Sequence, residues 1–202
     1  MLGLDDLRDV QPCRMVDVPT GDGSHAKGFQ ILSGPLKIYL NSETKAVVDK
    51  CFGYLTTKPE YLDESRSIIP RRVALLDFEI IENESDLSLY GLPVHSFPVY
   101  HGGDYISLGF AIGKEGEFVY ISDVKIVPSG TLVYLKGIAP RIKVLVLDAL
   151  DRDRGVWSHM GMEEALKFAR EINPEVIYFV GTLLHKVLQF LLFSFIILFW
   201  WI

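Results

Sequence analysis

Four residues of this chain are of types that do chemistry near neutral pH, and each stands where an apolar run stops or an amphipathic one begins. His101 follows Pro98-Val99-Tyr100 in the segment PVYHGGDY, and the two glycines behind it let backbone approach a bound group closely. Asp123 closes FVYIS, Asp148 closes IKVLVL, and His159 lies in WSHMGMEEAL. A carboxylate at the end of an apolar strand reads two ways. It is a turn former or helix cap, or it is a metal ligand or general base at a sheet rim, where layered α/β folds gather their sites. A loop imidazole is likewise a solvated bystander, or else a ligand or proton donor. For His159 the bland alternative is a neighbour of Ser158, a natural N-cap for the segment that follows.

The elements that must position these residues follow from periodicity and punctuation. The chain opens on a helix start, with Asp5 and Asp6 where the helix dipole favours acids. Residues 12–35, rich in Gly, Pro, Asp and Ser, read as a long loop. A short strand over 36–40 precedes a helix over 42–52, with Val47 and Cys51 four apart on one face. A polar loop spans 53–70. Strand patterns then run over 73–82, 92–99, 105–113 and 117–122, with a polar turn after the first. The sequence Gly113-Lys114-Glu115-Gly116 suits a hairpin turn. Residues 131–136 form one helical turn, and 142–147 is an apolar run of the buried-strand kind. The clearest helix covers 161–172, with Met162, Ala165, Leu166, Ala169 and Ile172 on one face and Asn173-Pro174 as its stop. Residues 176–180 form a last buried strand. An antiparallel meander followed by strand–helix–strand is a mixed α/β fold, and one domain is expected over 1–181.

Composition narrows the classes of function. The 202 residues carry 20 Lys+Arg against 26 Asp+Glu, a net charge of −6, which argues against a generic electrostatic nucleic-acid binder. Phosphate-loop, dinucleotide, nucleophile-elbow and HExxH motifs are absent. Cys13 and Cys51 have neither zinc-site spacing nor a disulfide framework, and are expected to pack as small apolar groups. His25 and His95 have no supporting context. The N-terminal residues MLGLDDLRD are no signal peptide, so a cytoplasmic location is expected.

The mean hydropathy is nevertheless positive, and most of the excess lies in FLLFSFIILFWWI at the end of the chain. The uncharged run 187–202 would span about 24 Å as a helix, against a hydrocarbon core of about 30 Å. It reads as a membrane anchor, as a buried terminal element, or as a translation of non-coding sequence foreign to the domain, and 182–202 is set apart on that ground. The anchor reading carries an alternative function, that of a membrane-tethered, non-catalytic binding module.

Three segments together resemble one family. LGLDDLRDVQ is similar to the stretch behind the metal-binding HxHxD motif of the metallo-β-lactamase superfamily. The branch is the one that includes the carbon–phosphorus lyase accessory phosphodiesterase and related eukaryotic hydrolases. PVYHGGDYISLGFAIG…FVYISDV resembles the same branch, where a ligand histidine precedes a hairpin ending in Ser-Asp, and LVLDAL…SHMGMEEALKFAREINPE resembles its closing unit. The resemblance implies an αββα sandwich. It implies hydrolysis of a small-molecule or nucleotide-like phosphodiester by a hydroxide held between two divalent ions, zinc or manganese. It makes His101 a metal ligand, Asp123 the carboxylate bridging two metals, His159 the histidine that protonates the leaving oxygen, and Asp148 its orienting neighbour. The HxHxD motif itself is absent, and His185 stands one residue out of step with the family's last ligand. An incomplete sandwich lacking its first strands and last part, and an impaired enzyme, are therefore expected.

Overall fold

The computed structural model describes residues 3–19, 22–56, 68–69, 71–151 and 155–181. The apolar run 187–202 and His185 lie outside them. No helix among the described residues is long and apolar enough to cross a membrane. The chain forms two compact units, residues 1–82 and 83–202.

In the first unit a 3-10 turn, Asp5–Val10, leads into an antiparallel hairpin of β1 (Cys13–Pro19) and β2 (His25–Ile31). Sequence reading makes 12–35 a loop, and this is a correction. The hairpin leaves many side chains of β1 exposed, so its apolar alternation is weak and its turn residues dominate the composition. The two-residue strand β4 (Ile68–Ile69) pairs with β2. Strand β3 (Leu36–Leu40) lies parallel to β5 (Leu76–Ile80), and the crossover carries α1 (Ser42–Cys51) and the single turn α2 (Gly53–Thr56). Asn41 caps α1 by accepting from the Thr44 N–H at 2.9 Å. On α1 the buried side chain is Val48, and Cys51 is exposed rather than packed. Gln11, only 2% exposed, donates to the carbonyls of Gly34 and Leu75 and accepts from Leu75 N–H. A buried amide satisfied on both sides fixes the two chain segments that flank β3 and β5.

The second unit holds a six-stranded mixed sheet in the order β11-β10-β9-β8-β7-β6. Its strands are β6 (Ser85–Leu89), β7 (Leu92–Tyr100), β8 (Ile106–Ile112), β9 (Phe118–Ile121), β10 (Val144–Asp148) and β11 (Val176–Val180). Strand β6 occupies what reads as a polar turn. SDLSL is a short edge strand whose polar residues alternate outward, so it carries little hydrophobic signal. Helix α3 (Ser129–Ile138) is a full ten residues where one turn is expected, because Thr131, Leu135 and Ile138 bury on a single face. Helix α4 (Met162–Ile172) buries Ala165, Phe168, Ala169 and Ile172 and ends on Asn173 in the left-handed conformation. Both helices join one core with Phe97, Val99, Val119, Ile121, Leu145 and Leu147 of the sheet.

The β6–β7, β7–β8 and β8–β9 pairs are antiparallel, whereas β9–β10 and β10–β11 are parallel. Strands β7, β9, β10 and β11 therefore run the same way, and their C-terminal ends share one rim. Within the sheet, Gly109 lies opposite Phe97 on β7, and a Cβ there would overlap the Phe97 ring, which is 1% exposed. Gly109→Ala is expected to cost about 1–3 kcal/mol by overpacking. The measurement is a urea midpoint that falls with its slope unchanged; a midpoint at or above wild type would show that the ring has room to move.

Candidate functional site

The shared rim gathers the four residues. His101 is the first residue after β7, and Asp123 stands two residues beyond β9. Asp148 is the last residue of β10, and His159 precedes α4. The segment after β9 is tied to the end of β7 by three backbone bonds. The Tyr100 carbonyl accepts from Lys125 and Ile126 N–H at 2.7 and 3.1 Å, and Tyr100 N–H donates to Ile126 at 2.9 Å. This staple brings Asp123 beside His101 across 22 residues of sequence. Asp123 has φ +52, a left-handed conformation that Asp tolerates better than most residues.

Each imidazole is oriented by an acceptor. His101 Nδ1 lies 2.9 Å from the Ser158 carbonyl oxygen. A carbonyl only accepts, so Nδ1 carries a proton, and in the neutral ring the lone pair is then on Nε2. His159 Nδ1 lies 2.6 Å from Asp148 Oδ2, and Asp148 is 2% exposed. The same carboxylate oxygen accepts from the buried Val124 N–H at 3.2 Å. The two rings meet edge-on with centroids 4.5 Å apart. Ligand atoms of His101, Asp123 and His159 all lie within 4.8 Å of one another.

This donor set fits a divalent metal. It combines borderline imidazole nitrogens with a hard carboxylate, and each imidazole has its outer nitrogen engaged, as metal-ligating histidines require. His95 does not join it. Its Nδ1 lies 2.7 Å from Asp86 Oδ1 and its ring rests on Tyr134 at 4.4 Å, where burial pushes the Tyr134 phenol up.

Several neighbours were not legible from residue type. Ser158 reads as an N-cap, but the N-cap of α4 is Gly161, and Ser158 serves the site through its carbonyl. The N-terminus of α4 is held instead by Glu164, which accepts from Gly161 N–H at 3.0 Å and pairs with Lys125 at 2.8 Å. Burial pushes the Glu164 carboxyl up, but the Lys125 ammonium and the Gly161 N–H outweigh it and hold it below 4.5. A lowered folded value stabilises the fold above the unfolded value, and that contribution is lost as pH falls through the folded one. Glu164→Gln is expected to flatten the loss of stability below pH 4.5, at a cost near neutrality of about 0.5 kcal/mol for a half-exposed pair. Acid-limb denaturation curves that superimpose on wild type would refute this. Gly181 closes the site behind Asp148. It has φ +77, and a Cβ on it would come within 2.8 Å of Asp148 Oδ1.

The second unit is thus a mixed sheet with an imidazole–carboxylate cluster beyond its aligned strand ends. The chain belongs to the family described as the beta-lactamase superfamily domain, whose model matches residues 6–181. Among solved structures it is similar to a diphosphatase from the PhnP family, at 20% identity and TM-score 0.56, over 74% of this chain and 49% of that one. It is also similar to the metallo-beta-lactamase fold protein YhfI from Bacillus subtilis, at 14% identity and TM-score 0.51, over 73% of this chain and 52% of that one. The metallo-β-lactamase fold implied by the sequence resemblance is thus the fold observed. The chain spans about half the length of these structures. No curated protein matches it.

Proposed function

We propose that the rim is a phosphodiester-hydrolysing site in which His101 and Asp123 hold a divalent metal, zinc or manganese. His159 delivers a proton to the leaving oxygen, and Asp148 orients His159. The observation that carries the assignment is the difference between the two imidazoles. His101 Nδ1 is held by a neutral carbonyl, which suits a neutral ring with Nε2 free as a ligand. His159 Nδ1 is held by a buried carboxylate at 2.6 Å, which suits a ring that cycles through its cationic form.

A divalent ion bound there supplies Lewis-acid charge at phosphoryl oxygens and an activated water as nucleophile. The chain's own residues do the rest. Asp123 contributes negative charge at the rim. Asp148 keeps the Nδ1 proton on His159 throughout. The ring, charged beforehand by a proton from solvent at Nε2, gives that proton to the departing alkoxide and returns to a neutral ring facing an anion, while the proton shed by the attacking water passes to solvent.

The test is turnover by the purified chain with zinc or manganese. The substrates are bis(p-nitrophenyl) phosphate, whose leaving group needs no proton, and a dialkyl phosphate, whose leaving group does. Both are expected to be cleaved, at a rate lowered by the absence of the HxHxD ligands, with chelator abolishing and metal restoring that rate. His159→Ala is expected to lose about 10²-fold more on the alkyl diester than on the nitrophenyl diester, with metal content retained. No cleavage with either metal sinks the reading, and loss of metal from His159→Ala reassigns that ring to the ligand set.

A further inference from the structure

Next to this rim stands an aromatic ring that the hydrolytic machinery does not use. Trp157 is 75% exposed, a large apolar surface left in solvent two residues before His159. The six-membered half of its indole lies on the turn that follows His101. A Cβ added to Gly102 would come within 2.6 Å of Trp157 Cζ3, and one added to Gly103 within 3.2 Å of Cζ2. Gly102 and Gly103 have φ +85 and +54, so the turn needs glycine for its conformation as well as for the space. The turn is pinned by His101 N–H to the Tyr105 carbonyl at 2.8 Å and Tyr105 N–H to the Gly102 carbonyl at 3.2 Å. Tyr105, itself exposed, meets the His101 ring at 5.9 Å between centroids.

The indole is thus seated against backbone within one or two residues of both site histidines, and most of its surface remains open. A ring fixed this way loses little freedom when something stacks on it, and stacking of a nucleobase on an aromatic side chain is sequence-tolerant and substantial. Covering the turn explains the seated part of the ring. It does not explain why the ring is a tryptophan with the rest of its surface in water.

We propose that Trp157 is a stacking platform for a heteroaromatic base carried by the substrate, so that the diester accepted at the rim is a nucleotide-type ester. The inference rests on the phosphodiesterase reading, and names the substrate class of the same site. Trp157 is here a specificity-determining residue, with no part in proton transfer.

The test measures binding apart from turnover. Dissociation constants for adenosine 5′-monophosphate and for ribose 5-phosphate, which has the phosphate and sugar but no ring, are compared by calorimetry on the metal-loaded chain. Wild type is expected to bind the nucleotide about tenfold more tightly than ribose 5-phosphate. Trp157→Ala is expected to lose that preference while binding ribose 5-phosphate within about twofold of wild type. Trp157→Phe is expected to restore most of it. A merely structural role would weaken both ligands together, and that result overturns the platform. So does an unchanged preference in Trp157→Ala, or failure of wild type to bind the nucleotide. The platform and the hydrolytic reading fail separately. Turnover without a Trp157-dependent preference removes the platform alone, whereas a Trp157-dependent preference without turnover removes the hydrolytic reading alone.

Discussion

Replacing Asp148 with alanine is expected to cut turnover of an alkyl phosphodiester by about 10²-fold. The reason is geometric before it is electrostatic. His159 Nδ1 lies 2.6 Å from the carboxylate oxygen, and without that partner the ring is free to turn out of the cluster it forms with His101 and Asp123. The substitution also removes the acceptor of the Val124 N–H, and Val124 is fully buried. An orphaned buried donor costs about 1–3 kcal/mol, so thermal stability is expected to fall as well. Asp148→Asn separates the two effects. Its amide oxygen can still accept from both Nδ1–H and Val124 N–H, and it adds no charge beside a protonated ring. It is expected to fold with nearly wild-type stability and to be slowed less than the alanine variant, most visibly on alkyl leaving groups. Rates for the paired diesters together with urea midpoints decide the matter. An Asp148→Ala protein as fast as wild type would remove Asp148 from the site.

The second large effect is expected at Asp123, where backbone and side chain have different tasks. The side chain belongs to the cluster proposed to hold the metal, and the backbone sits at φ +52. Asp123→Ala is expected to lower zinc affinity by more than about 100-fold, since loss of an inner ligand exceeds the 10- to 100-fold typical of outer partners. It is also expected to lose about 1 kcal/mol of stability, because alanine lacks the local hydrogen bonding that eases a left-handed conformation. Asp123→Gly loses the same ligand but adopts that conformation freely. It is therefore expected to match alanine in zinc affinity, measured by competition with a chromophoric chelator, and to exceed it in stability. Equal stabilities would mean that the turn relaxes away from its left-handed form once the carboxylate is gone.

What could be read in the sequence was whatever apolar period carries. The runs ending at Val99, Ile121 and Leu147 are buried inside the sheet, so their limits stand out, and the residues just beyond them form the candidate site. Helix α4 was equally legible, because its apolar positions recur at helical spacing and Asn173-Pro174 ends it. The missed strands β1, β2 and β6 are hairpin or edge strands with few buried side chains, so composition outweighs pattern there. The juxtapositions were illegible for a different reason. Nothing in residue type says that Tyr100 bonds Lys125 and Ile126, that the carbonyl rather than the hydroxyl of Ser158 serves the site, or that Trp157 lies on Gly102. Those are products of strand order and turn geometry. The roles proposed for these residues come from the resemblance to known hydrolases, since spacing alone leaves them open.

The common direction of β7, β9, β10 and β11 gives the second unit a working end and a blunt end. The connections Tyr90–Gly91 and Gly113–Gly116 both lie at the blunt end, since each leads into the start of a strand whose far end carries the rim. Lys114 and Glu115 are exposed there. A fluorophore or surface linkage placed on that turn is thus held a full strand's length from the histidines, with the chemistry facing outward.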